Sequence, residues 1–284
     1  MRGAAAEVPR IADLAGTVRV RVALTFLAVA AAPACTASTT AARTPAGTAM
    51  PPAARSATTA PVFPSPTMAT PVASEPWRFG TSRDGVPLIA VERRSAGARR
   101  RLLVVGCIHG DEQAGVTIVE AMLHQPLPAN VDVVLVASVN PDGQRRQTRQ
   151  NAAGVDLNRN FPFGWRALGH RGDQQFSGTG PLSEPESLAV TGLISRLRPD
   201  VTVWFHQPVD VVDDSGGDPA LERAFAVRVG QRFTRLVRYP GSVASWQDSR
   251  FPGTSAFVDE LPRTLTGDRV LTFTTALWWL ASRP

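Results

Sequence analysis

The chain has 284 residues, with 30 arginines, no lysine and 24 acids, for a net charge of +6. That charge is uneven: residues 1–100 hold 12 arginines against 5 acids, and residues 101–284 hold 18 against 19. The C-terminal part is therefore close to neutral, which argues against a nucleic-acid surface and for a basic arm near a membrane.

Residues 1–75 are dominated by Ala, Thr, Pro and Ser, and all six tryptophans lie at or beyond Trp77. The shift predicts a leader and linker followed by one domain of about 200 residues, enough for a full core. Arg19 and Arg21 precede an apolar run at 22–32 (VALTFLAVAAA), too short to span a bilayer comfortably and suited to a signal-peptide core. Ala-Pro-Ala then leads into Cys35. This resembles a bacterial lipoprotein signal, with Ala32 where the pattern prefers Leu; the other reading is ordinary cleavage after Ala-x-Ala with Cys35 incidental. The segment ahead of the apolar run is long, so the true start could lie downstream. Residues 1–35 are assigned as signal peptide and 36–75 as a disordered linker, too poor in apolar surface to offset its ordering entropy. An exported protein, with Cys35 a candidate lipid anchor to the membrane, is expected. Cys107 is then left alone, and no intrachain disulfide is expected.

Within 76–284, residues 77–80 and 86–91 read as an edge hairpin turned at Asp84-Gly85. Residues 101–107 form a buried strand and 116–124 a helix closed by Pro126. Residues 131–139 (VDVVLVASV) are a near-continuous apolar strand, the mark of a sheet covered on both faces. A helix capped by Ser183 or Ser187 runs to Leu197, and 201–205 is a third core strand. Residues 219–233 read as helix, 255–258 as a short strand and 265–280 as a closing helix. The alternation predicts an α/β fold of three layers, with a mixed, largely parallel sheet and helices on both faces.

The strand ends carry the chemistry. The first delivers His109 and Glu112, three apart, with Cys107 just before them; a thiol ending a buried strand is read as packing. The second runs into Asn140-Pro-Asp-Gly143 and a loop with Arg145, Arg146 and Arg149, then into GVDLNRNFP with Asn158 and Arg159. The third ends at His206, and the short strand at Asp259-Glu260. Ligand sites gather at such ends in open α/β sheets, and imidazole with carboxylate suits zinc. Asp210, Asp213 and Asp214 could greet a cationic group but read as an acidic solvated loop. His124 and His170 read as surface.

The order His109-x-x-Glu112, Arg149, Asn158-Arg159, His206, Glu260, with the phrases NPDG, GVDLNRNFP, SEPES and FHQP, resembles the zinc metallocarboxypeptidase family. Within it the chain looks most like the small bacterial branch of murein peptide amidases and γ-D-glutamyl-diaminopimelate peptidases. The resemblance covers about residues 101–262. It implies one Zn²⁺ held by His109, Glu112 and His206, with a fourth position open for water. It implies Glu260 as general base and Arg149 as the cation that polarises the scissile carbonyl. Asn158 and Arg159 would bind a substrate carboxylate, and Tyr239, the sole tyrosine, would help hold the substrate terminus. Asp259 alternates to the other side of its strand and is set aside; Arg145 and Arg146 are taken as solvated. The expected enzyme is a monomeric zinc metallopeptidase acting on murein-derived peptides. Two alternatives stand beside it: an N-acyl amino-acid deacylase of aspartoacylase or succinylglutamate desuccinylase type, and a catalytically dead peptide-binding lipoprotein.

Overall fold

The computed structural model describes residues 76–283; the leader, the linker and Cys35 lie outside them. A hairpin comes first, β1 (Pro76–Thr81) and β2 (Pro87–Arg94), turning through Asp84-Gly85 with Gly85 at a left-handed φ of 86°. β3 (Arg101–Val105), α1 (Ala114–His124) and β4 (Asp132–Val136) follow. The chain then passes through the short helix α2 (Pro141–Arg146) and a single 3-10 turn at Leu157–Arg159 to α3 (Pro185–Leu197). β5 (Val201–His206), β6 (Val209–Asp213), α4 (Pro219–Val229) and β7 (Arg232–Thr234) come next. α5 (Val243–Arg250), β8 (Ser255–Pro262) and α6 (Gly267–Ala281) complete the domain.

The eight strands form one sheet in the order β1-β2-β4-β3-β5-β8-β6-β7. Its centre, β4-β3-β5-β8, is parallel, and β2 and β6 flank it antiparallel. Alternation along the central strands splits the core into two layers. Leu102, Val104 and Phe205 pack with Phe225 of α4 and Phe273 and Leu277 of α6. Leu103, Val105 and Trp204 face Val190 and Ile194 of α3 and Val243 and Trp246 of α5. Helices therefore cover both faces, as the apolar strands predict.

Several boundaries differ from expectation. The helix from 219 stops at Gly230, whose φ of 67° makes a left-handed cap, and residues 232–234 pair with β6 instead. The expected acidic loop after His206 is strand β6, because Val211 and Val212 are fully buried in its ladder with β8. β8 continues to Pro262, so Asp259 and Glu260 are strand residues. α5 was not expected: its buried Val243, Ala244 and Trp246 share eight positions with polar residues. Neither Ser183 nor Ser187 caps α3; Glu184 holds that position without a side-chain cap bond. No helix among the described residues is long and apolar enough to cross a membrane.

Parallel strands end on the same edge of the sheet. β3, β5 and β8 thus bring the segments bearing His109, His206 and Glu260 together, and His206 lies directly across the ladder from Glu260.

Candidate metal centre and cleft

His109 follows β3 in a turn closed by the Glu112 N–H donating to the His109 carbonyl at 3.0 Å. The turn abuts the start of α2 so closely that a Cβ on Gly110 would stand 2.0 Å from the Gly143 carbonyl carbon, so only glycine fits. Gln207, just after His206, accepts the Ala114 N–H at 3.0 Å and ties the two ligand-bearing segments together.

Three donor atoms converge. Glu112 Oε2 lies 2.9 Å from both His109 Nδ1 and His206 Nδ1, and the two Nδ1 atoms are 3.0 Å apart. Both histidines are buried, at 1% and 4% exposure. Ligand atoms bound at ~2.0–2.1 Å to a tetrahedral zinc stand about 3.3 Å apart, so the triangle is close to a zinc-binding size and its N, N, O donor set suits that ion.

Asp156 sharpens the fit. It is fully buried, and its Oδ1 is 3.0 Å from His109 Nε2. An ionised carboxylate only accepts, so Nε2 carries the proton and Nδ1 turns its lone pair to the cluster. Burial opposes ionisation of Asp156, but His109, Arg149 and Arg159 hold its pKa below the usual carboxylate range. The same balance lowers Glu112, with burial overcome by the two histidines. Sequence reasoning quoted Asp156 inside GVDLNRNFP without giving it a role. Its place two residues before Asn158 was the available signal, but the partner that defines it lies 47 residues away.

Arg149 braces both carboxylates, its Nη1 donating to Glu112 Oε1 and its Nε to Asp156 Oδ2, each at 3.0 Å. It also lines the cleft. Arg145 and Arg146 instead pair with Asp84 on the surface. Asn158 accepts the Val243 N–H through Oδ1 at 3.0 Å, which leaves its Nδ2 toward His206. Arg159 is buried, and burial lowers its pKa. Its guanidinium lies 4.2 Å from the centroid of the Tyr239 ring, and its Nε has no hydrogen-bond partner among the described residues. Gly241 (φ 74°) lets its segment pass close against the Arg159 backbone, since a Cβ there would stand 2.1 Å from the Arg159 carbonyl oxygen.

Glu260 lines the same cleft. Burial raises its pKa, only partly offset by His206, and Oε2 has no hydrogen-bond partner among the described residues. Asp259 points to the opposite, fully buried side, where burial pushes it well above the carboxylate range. Cys107 is also fully buried; its thiol donates to the His109 carbonyl, and burial pushes it up to about 12, far from a ligating thiolate. His124 and His170 are exposed. Asp213 departs from expectation: it is 7% exposed and lines the cleft, whereas Asp210 stays exposed and Asp214 pairs with Arg235.

Comparison with known proteins agrees with this geometry. The zinc carboxypeptidase family profile matches residues 67–212. Murein peptide amidase A of Escherichia coli K12 is 33% identical over 186 residues, 59% of this chain and 74% of that protein. Murein peptide amidase A of Vibrio campbellii is 33% identical over 195 residues, 62% and 75% of the two chains. The crystal structure of murein-tripeptide amidase MpaA from E. coli O157 superposes with a TM-score of 0.62 at 28% identity, covering 74% of this chain and 92% of that one. Carboxypeptidase A of Helicoverpa armigera shares the fold, with a TM-score of 0.61 at 17% identity over 74% and 68%. The chain belongs to the zinc carboxypeptidase family and is a zinc metallopeptidase.

Proposed function

We propose that the protein hydrolyses a peptide or amide bond next to a free carboxylate in murein-derived peptides. The observation that carries the reading is the meeting, in one cleft, of the His109–Glu112–His206 triangle, the Glu260 carboxyl, whose Oε2 has no partner among the described residues, and the Arg149 and Arg159 guanidinium groups. His109 Nδ1, Glu112 and His206 Nδ1 would hold one zinc ion. Zinc in such a set supplies Lewis acidity and brings the ionisation of water toward neutral pH.

The chain's own groups do the rest. Glu260 Oε2 takes a proton from the attacking water and returns it to the leaving amine. Glu112 and Asp156 keep Arg149 fixed at the cleft wall, where its remaining N–H groups favour the negative charge that develops on the carbonyl oxygen. Arg159, flattened against Tyr239, offers its planar fork to the substrate carboxylate, and Asn158 Nδ2 adds a donor beside it. Burial of these groups excludes competing water and strengthens each interaction.

The murein assignment is supported by the names of the 33%-identical relatives. Export is supported by the run at 22–32 behind Arg19 and Arg21, and membrane tethering by Cys35. A tethered enzyme outside the cytoplasmic membrane would meet wall peptides. The test is hydrolysis by the zinc-loaded chain of a γ-D-glutamyl-diaminopimelate peptide alongside N-acetylaspartate and N-succinylglutamate. Cleavage of the peptide alone is expected; cleavage of the N-acyl amino acids alone would assign a deacylase.

A further inference from the structure

The turn Asn140-Pro-Asp-Gly143, where the chain enters α2, holds a side chain that the hydrolytic step does not use. Asn140 is fully buried, and its Oδ1 accepts the Gly143 N–H at 3.0 Å to cap that helix. The contact fixes which way the amide lies, because only its oxygen can accept. Nδ2 therefore faces the other side, where it donates to the Ile108 carbonyl at 3.0 Å and to the Arg149 carbonyl at 3.2 Å. Both of its N–H groups are used. Neither carbonyl has another hydrogen bond among the described residues.

The two carbonyls belong to segments that the site must hold in register. Ile108 immediately precedes His109, and Arg149 bears the guanidinium that braces Glu112 and Asp156. One nitrogen thus joins the backbone of the His109 turn to the backbone of the Arg149 loop. Packing there is close: a Cβ on Gly143 would stand 2.5 Å from Asn140 Nδ2 and 2.4 Å from the Gln150 carbonyl oxygen. At the tip of the Arg149 side chain, the two carboxylates take Nη1 and Nε, each at 3.0 Å. A side chain drawn by carboxylates at its tip keeps its remaining N–H groups on the cleft only if its root stays fixed. With the root released, the guanidinium settles onto the carboxylates.

We propose that Asn140 is a positioning residue for the reaction, setting the place of Arg149 relative to His109 through the two donors of its amide. The proposal rests on the hydrolytic reading above, in which Arg149 favours the charge developing on the scissile carbonyl. Asn140 touches neither substrate nor metal ligand side chain; its effect passes through Arg149.

The test uses the full zinc-loaded chain and a γ-D-glutamyl-diaminopimelate peptide. Asn140→Asp keeps the shape and the acceptor for Gly143 but replaces the donors, and Asn140→Ala removes the amide altogether. In each, kcat should fall roughly 10–100-fold with KM nearly unchanged, the size expected for a catalytic group displaced by about 1 Å. Placed in the Arg149→Met protein, either substitution should cost less than about twofold more, because residues that act as a unit are not additive. A second readout needs no turnover. The ¹⁵N-edited NMR signal of the Arg149 Nε–H, assigned by its loss in Arg149→Met, should shift in both Asn140 variants while zinc content is unchanged. Where Asn140→Asp does not fold, Asn140→Ala carries both measurements. An unchanged kcat, an equal fold-loss in both backgrounds, an Arg149 signal that stays in place or a loss of zinc each overturns the proposal. If the unaltered chain cleaves no peptide, the hydrolytic reading fails, and the NMR shift alone decides whether Asn140 positions Arg149.

Discussion

Two sets of buried carboxyl groups occupy the two ends of the sheet. At the end where β3 and β5 finish, Glu112 and Asp156 lie among His109, His206, Arg149 and Arg159. At the other, where β8 begins, Glu222 accepts the Ser255 Oγ–H at 3.2 Å and Asp248 accepts the Ala256 N–H at 2.8 Å. One oxygen of each of these two has no partner among the described residues. Burial pushes Glu222 up to about 8 and Asp248 up to about 7, whereas the first pair is lowered despite comparable burial. Desolvation acts alike at both ends, and the neighbouring cations decide the outcome. Only the first set is held ionised, which is what a cation-binding site requires.

The contrast can be broken most severely at Glu260, the carboxyl that shares the first cleft and whose Oε2 has no hydrogen-bond partner among the described residues. Glu260→Gln should cut turnover by roughly 10²–10⁴-fold while metal analysis shows zinc retained; turnover within a few-fold of wild type would remove it as the base. Next is Arg149→Met, which strips Glu112 and Asp156 of their shared cation. Breaking a largely buried pair from one side should destabilise by about 3 kcal/mol, read in urea melts of the zinc-loaded protein. A loss under ~1 kcal/mol would mean that the histidines alone hold the carboxylates. Asp156→Asn comes third: chelator competition should show zinc affinity lowered about 10–100-fold. An unchanged affinity would show that Asp156 does not orient His109.

How far the site could be read from sequence follows from the same physics. His109, Glu112, His206 and Glu260 each stand at or just past the end of an apolar run, where periodicity marks a strand and the polar residue marks its exit. β6 was hidden because Asp210, Asp213 and Asp214 surround Val211 and Val212, so local composition speaks for a solvated loop while pairing with β8 decides for a strand. Arg149 was legible as a candidate cation, but its double contact to Glu112 and Asp156 depends on residues on both sides of it, 37 and 7 positions away. Asp213 became a cleft residue only once β8 was known to run past Val258. The layers of the fold were legible from strand composition; the charge partnerships were not, because they are set by which strands become neighbours.

The gentlest probe of the contrast is pH. Glu222 and Asp248 titrate in the folded chain at about 8 and about 7, against ordinary values of 4.5 and 3.8. The folded protein thus holds protons that the unfolded chain has released, and unfolding stability falls as pH rises through that window. Each differential proton contributes a slope of up to about 1.4 kcal/mol per pH unit. Glu112 and Asp156 act with the opposite sign, but their lowered values confine that effect to acidic pH. Urea midpoints between pH 6 and 9 at saturating zinc should therefore decline with pH in the unaltered chain and flatten above about pH 8. The Glu222→Gln, Asp248→Asn double variant should show a shallower decline, because amides at those positions cannot release a proton. An equally steep decline in the double variant would assign the pH dependence to another group, with Asp259, fully buried and raised in the same direction, the next to replace.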